Sequence, residues 1–162
     1  MLADSHRYEG LPMPLTFHPR AGQVFICDFS GFKEPEMIKP RPVAVVSPKL
    51  PYRSDIAAIV PISLTEPKHK LPFCFRLSKN YHPDEPDDLP CWAKADMLMN
   101  LGTYRLSAFK VGRRQYVYPT LSQEDLAGVR RAVLCGLGLD AVEKINRFCY
   151  IMEVSRSSGF KT

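Results

Sequence analysis

Lys39-Pro-Arg-Pro-Val-Ala-Val-Val-Ser47 and Ile56-Ala-Ala-Ile-Val-Pro-Ile-Ser63 are the two stretches on which the fold turns. Each carries a short, continuous apolar run rich in β-branched residues and bounded by proline or a turn. Both therefore read as strands buried on two faces, forming the centre of the core. Upstream, Gly22-Gln-Val-Phe-Ile-Cys-Asp-Phe29 is a further strand candidate between Gly22 and Ser30-Gly31. The Ser30 to Pro40 stretch that follows, with its glycine, prolines and mixed charges, reads as a mobile surface loop.

Downstream, Leu71 to Ser78 alternates apolar and polar residues, and residues 79–90 form a polar loop punctuated by proline. Cys91 to Leu98 alternates again; as a strand it sets Trp92, Lys94, Asp96 and Leu98 on one face and Cys91, Ala93, Ala95 and Met97 on the other. Arg105 to Phe109 and Val111 to Tyr118 are two more short strands. Helix enters only afterwards. Ser122-Gln-Glu-Asp125 has the form of an N-terminal cap, Leu126, Val129, Val133 and Leu137 share a helical face, and Gly136 and Gly138 end it. Asp140-Ala-Val-Glu143 repeats the signal for a second helix, and the tail from Ser155 reads as disordered. Strands followed by helices, without β-α-β alternation, predict a mainly β (α+β) fold: a small antiparallel barrel or sandwich with C-terminal helices.

The chain has 162 residues, the length of one domain, and its 15 prolines, roughly twice the usual share, argue against a helical bundle. Its net charge of +5 is unevenly placed: residues 1–100 hold 12 basic and 12 acidic residues, whereas residues 101–162 hold 10 and 5. That local excess suits a polyanion partner and also serves solubility. Five widely spaced cysteines without a C-x-x-C pair indicate neither a disulfide framework nor a zinc site. With no signal peptide and no apolar span, a reducing cytoplasmic location and no membrane association are expected.

Phosphate-loop, dinucleotide-binding and G-x-S-x-G motifs are absent, which removes support for nucleotide and acyl-enzyme chemistry. The four histidines fall in loop segments and read as solvated, and the cysteines read as buried structural residues. Three positions remain. Arg41, between two prolines at the mouth of a buried strand, can present a rigid guanidinium or be a plain solvated charge. Ser63, at the exit of the second run, can donate to a ligand or satisfy its turn, and the turn role is the simpler. Lys94 and Asp96, two apart beside Trp92, read as an ion pair or an acid/base pair, the ion pair being the simpler.

In order and spacing these blocks resemble the PemK/MazF family of type II toxins. The likeness runs through Gly22 to Phe29, the K-x-R-P-V-x-V-V-S of Lys39 to Ser47, the I-V-P-I-S of Ile59 to Ser63, the segment Cys91 to Arg105, and the L-S-x-E-D-L helix start with its later L-G-L. The resemblance implies a toxin domain over residues 20–139, preceded by an N-terminal arm (1–19) and followed by a C-terminal helix and tail (140–162). It further implies an SH3-like β-barrel homodimer that cleaves single-stranded RNA without metal or other cofactor and is held inactive by a cognate antitoxin. Carried onto this chain, Arg41 stabilises the scissile phosphate and Ser63 replaces the usual threonine. Asp96 matches the general base, Lys94 stands for the arginine that acts as general acid, and the acid's role is open between Arg41 and Lys94. Substrate contacts are expected from Lys33 and Lys39 in the long loop, from Trp92, and from the basic-aromatic patch of Arg113, Arg114 and Tyr116. A non-catalytic barrel that binds RNA, or poisons a protein such as a topoisomerase, is the alternative.

Overall fold

The structure, a computed structural model, describes residue 15 and residues 17–139. The expected second helix from Asp140, the tail from Ser155 and most of the N-terminal arm lie outside those residues. The chain forms β1 (Val24–Cys27), β2 (Arg41–Val45), β3 (Ile56–Ser63), β4 (Cys74–Arg76), β5 (Trp92–Lys94) and β6 (Met99–Gly102), then β7 (Leu106–Ser107), β8 (Phe109–Gly112), β9 (Gln115–Val117) and the helix α1 (Gln123–Gly136). Seven strands make one antiparallel sheet in the order β4-β5-β3-β2-β1-β7, with β6 also on β3, while β8 and β9 form a separate hairpin. The mainly β, antiparallel expectation holds, with one helix following the strands among the described residues.

The two apolar runs are β2 and β3, and their continuous hydrophobicity has a geometric cause. Alternate residues feed two different cores. Ala44, Val46, Val60 and Ile62 face a cluster closed by Val129 and Ala132 of α1, whereas Val43, Val45, Ala57 and Ile59 face one closed by Phe29, Leu101 and Leu106. A strand covered on both sides has no polar face, so it cannot alternate. The Nε and Nη2 of Arg130 both donate to the carbonyl of Val46, at 3.0 and 2.9 Å, and pin the helix to the end of β2.

The stretch from Cys91 to Leu98 is not one strand. Ile62 pairs with Ala93, but Ile59 pairs with Met99, and between them Ala95–Met97 is a short 3-10 turn. An unbroken register would set the Asp96 carboxylate opposite the fully buried Ile59. Extruding three residues puts Met99 there instead and leaves Asp96 in solvent. The segment from Val111 to Tyr118 is likewise divided: β8 and β9 are joined through Arg113 and Arg114, the latter with φ of 62°.

The capping signal is borne out. Ser122 Oγ accepts from the backbone N–H of Asp125 at 3.1 Å, and Gly138, with φ of 71°, follows the helix end. Val129 is fully buried and Leu126 and Val133 partly so, but Leu137, placed on the same face by periodicity, lies past the last helical turn and is exposed.

Candidate active-site cleft

Arg41 opens β2 and Ser63 closes β3. Val43 pairs with Pro61, and carrying that register two residues on sets Arg41 opposite Ser63 at one end of the sheet. Pro40 and Pro42 stiffen the backbone around Arg41, and Cys27 is its partner on β1. Both side chains line a cleft together with Lys39, Asn80, His82 and Glu85. A shallower depression lined by Glu34, Met37 and Ile38 meets it at Lys39 and Arg41.

Ser63 is 6% exposed, and its Oγ accepts the Thr65 N–H at 3.1 Å, so it does satisfy its turn. That bond uses a lone pair and leaves the hydroxyl proton available to the cleft. Arg41 is half-buried; its Nε is buried with no hydrogen-bond partner, and the same is true of Asn80 Nδ2. Leaving a buried donor unpaired costs about 1–3 kcal/mol. Two such groups in one cleft mark it as a place built to meet an acceptor.

Sequence reasoning missed Asn80 and His82. The 79–90 loop is folded back on itself: Asn80 N–H donates to the Asp87 carbonyl at 2.8 Å, and Lys79 is ion-paired with Asp87 at 2.8 Å. Asn80 Oδ1 accepts the His82 N–H at 3.0 Å, and His82 Nδ1 accepts the Asp84 N–H at 3.2 Å. The expectation of solvated histidines fails for His82, which is 9% exposed with its ring edge-on to Phe109. The available signal was Asn-x-His-Pro, an asparagine able to bond its own backbone two residues on. What buries the segment comes from far away. Tyr81 O–H and Ser78 N–H and O–H all donate to the carboxylate of Asp125 on α1, which is 3% exposed.

Lys94 and Asp96 do not line the cleft. Lys94 lies opposite Cys74 on β4 and Asp96 sits in the 3-10 turn, so they belong to different elements and the expected ion pair is not formed. Trp92 is 8% exposed and offers a base little open ring face. Lys33 and Lys39 are exposed on the 30–40 loop, and Lys39 reaches the cleft. The start of that loop is clamped, because Arg105 Nη1 donates to the carbonyls of Asp28 and Ser30 at 3.1 and 2.9 Å. Arg113, Arg114 and Tyr116 are exposed on the hairpin, apart from the cleft lining.

The buried thiols of Cys27 and Cys91 are chemically quiet. Burial pushes Cys27 up to about 12 despite the opposing charge of Arg105, and pushes Cys91 up to about 11. Among the described residues no group of three or more His, Cys, Asp or Glu is placed to hold a metal ion, and no helix is long and apolar enough to cross a membrane.

Residues 20–135 match the family described as PemK-like, MazF-like toxin of type II toxin-antitoxin system. No curated protein matches the chain. Among solved structures it is similar to MazF from Deinococcus radiodurans, at 23% identity and a TM-score of 0.54 over 75% of this chain and 98% of that one. It is also similar to an endoribonuclease in complex with its cognate antitoxin from a mycobacterial species, at 20% identity and a TM-score of 0.52 over 75% and 96%. At this identity the structural likeness speaks for the fold.

Proposed function

Since the chain belongs to the PemK-like, MazF-like toxins of type II toxin-antitoxin systems, we propose that it is a metal-independent endoribonuclease that cuts single-stranded RNA at short sequences and thereby arrests translation and growth. The observation that carries this reading is the meeting of Arg41 and Ser63 in one cleft, with the Arg41 Nε buried and unpartnered. RNA supplies its own nucleophile. The 2′-oxygen loses its proton to a base and bonds to phosphorus, the bond from phosphorus to the 5′-oxygen breaks, and an acid protonates the departing oxygen. The products are a 2′,3′-cyclic phosphate and a 5′-hydroxyl. Arg41 and the Ser63 hydroxyl meet the charge that grows on the phosphorane oxygens.

Two sets of groups can move the protons. The family correspondence names Asp96 as base with Lys94 or Arg41 as acid, whereas the cleft itself presents His82 and Glu85. The pH–rate profiles of Asp96→Asn and His82→Gln separate them, because the variant that loses a limb of the profile identifies its set.

A cognate antitoxin and a second copy of the chain are the expected partners; the mycobacterial relative bound to its antitoxin supports the first. The test is incubation of purified, antitoxin-free protein with mixed-sequence RNA in EDTA. Discrete cuts ending in cyclic phosphate are expected. Intact RNA from folded protein would turn the reading to a binding module without nuclease activity.

A further inference from the structure

We infer that Asn80 is a substrate-binding residue, donating its carboxamide N–H to a phosphate oxygen of the RNA held by Arg41. The inference rests on the endoribonuclease reading and adds to it a contact that the Arg41 and Ser63 blocks do not contain. Asn80 is 3% exposed and lines the cleft. Its orientation follows from its bonds: only the oxygen can accept the His82 N–H at 3.0 Å, so Nδ2 is the end turned away from that bond. That nitrogen is buried and has no partner. The residue is also immobilised, with its backbone N–H on the Asp87 carbonyl and the neighbouring Tyr81 hydroxyl on Asp125.

A neutral N–H has only protons to offer, so its ligand must present an acceptor. Arg41 Nε, the other unpartnered buried donor of the cleft, makes the same demand with a positive charge. A phosphodiester, whose two non-bridging oxygens share one negative charge, meets both. Half-buried Glu85 shares the cleft, but Lys39 and Arg41 outweigh its single negative charge. Because Asn80 carries no charge, its contribution releases no counterion and stays nearly constant with salt, whereas that of exposed Lys39 fades as salt rises.

The test uses Asn80→Ala, Asn80→Asp and Lys39→Ala in cleavage of mixed-sequence RNA and in binding of an uncleavable 2′-O-methyl pool, at about 50 and 300 mM KCl. Asn80→Asp keeps the oxygen that holds the His82 N–H, so it preserves the turn while replacing a donor by an anion. Asn80→Ala is expected to weaken binding and cleavage about 10- to 100-fold at both salt concentrations and to lower the melting temperature, since the buried His82 N–H loses its acceptor; Asn80→Asp, which keeps that acceptor, should weaken both by more while remaining folded at the assay temperature. Lys39→Ala should show a loss that shrinks at the higher salt. If wild type cuts RNA and both Asn80 variants stay within about twofold of it, the inference is overturned while the nuclease reading stands. If wild type leaves RNA intact but binds the pool, the nuclease reading fails, and weaker binding by Asn80→Ala still supports the contact.

Discussion

Tyr81 gives its hydroxyl proton to the carboxylate of Asp125 at 2.8 Å across 44 residues of sequence, and the same hydroxyl oxygen accepts the Ser122 N–H at 3.0 Å. This bond joins the start of the helix to the loop that carries Asn80 and His82. Asp125→Ala strands the Ser78 and Tyr81 donors in the interior and should destabilise the domain by about 3 kcal/mol. Tyr81→Phe should cost about 1–2 kcal/mol. Urea unfolding of both variants checks the order, and a Tyr81→Phe loss equal to that of Asp125→Ala would contradict it.

Arg41→Ala should lower kcat/KM for RNA at least about 100-fold with little change in melting temperature, because the side chain faces a cleft and not a core. Arg41→Lys should recover only a small part, since an ammonium cannot reproduce the flat, forked guanidinium. Cleavage by Arg41→Ala close to wild type would remove it from the chemistry.

Ser63 has two duties that substitutions can separate. Ser63→Thr keeps the hydroxyl and should retain both activity and stability. Ser63→Ala leaves the Thr65 N–H without its acceptor and should cost about 1 kcal/mol of stability together with a roughly 10-fold or greater loss of cleavage. Equal activity of Ser63→Ala and wild type would leave only the turn role.

The raised thiols make stability fall at alkaline pH. An unfolded thiol ionises near 9.0, while Cys91 and Cys27 hold their protons in the fold to about 11 and about 12. Above 9 the unfolded chain therefore binds fewer protons than the folded one. The contribution is whole below pH 9 and is lost as pH rises toward 11 and 12. Urea midpoints should decline from pH 8 to pH 10, and iodoacetamide at pH 8 should label Cys27 in unfolded protein far faster than in native protein; equal rates would refute the burial argument.

Gly128 is set against the ring of Phe75, and a Cβ there would overlap the ring atoms. Helix propensity alone would favour Gly128→Ala by about 1 kcal/mol, but the overlap should dominate and leave the variant about 1–3 kcal/mol less stable. A rise in melting temperature would show that Phe75 moves aside at little cost.

What could be read from the sequence follows from how local each cause is. The strands at Arg41–Val45 and Ile56–Ser63 and the cap at Ser122 are written in adjacent residues, and Arg41 and Ser63 meet because those strands pair. The break in the Cys91 to Leu98 stretch is not local. Its alternation fits a strand, and only the register against Ile59 makes Asp96 unacceptable there. The separation of Asp96 and Leu98 from the face of Trp92 and Lys94 has that single origin. Asn80 and His82 were hidden for a related reason: a polar loop gives no hint of burial when the group that buries it, Asp125, belongs to a helix at the far end of the domain.

The Asp125 tie also has a bearing on when the protein becomes active. Arg41, Ser63 and Asn80 come from three separate segments, and the carboxylate that fastens the third is translated last. A nascent chain still short of residue 125 contains the R-P-V block and the serine but lacks the anchor for the asparagine loop. On the nuclease reading, the ribosome thus completes nearly the whole domain before the asparagine loop can be fastened, and products truncated before the helix should cut RNA more weakly than the full domain.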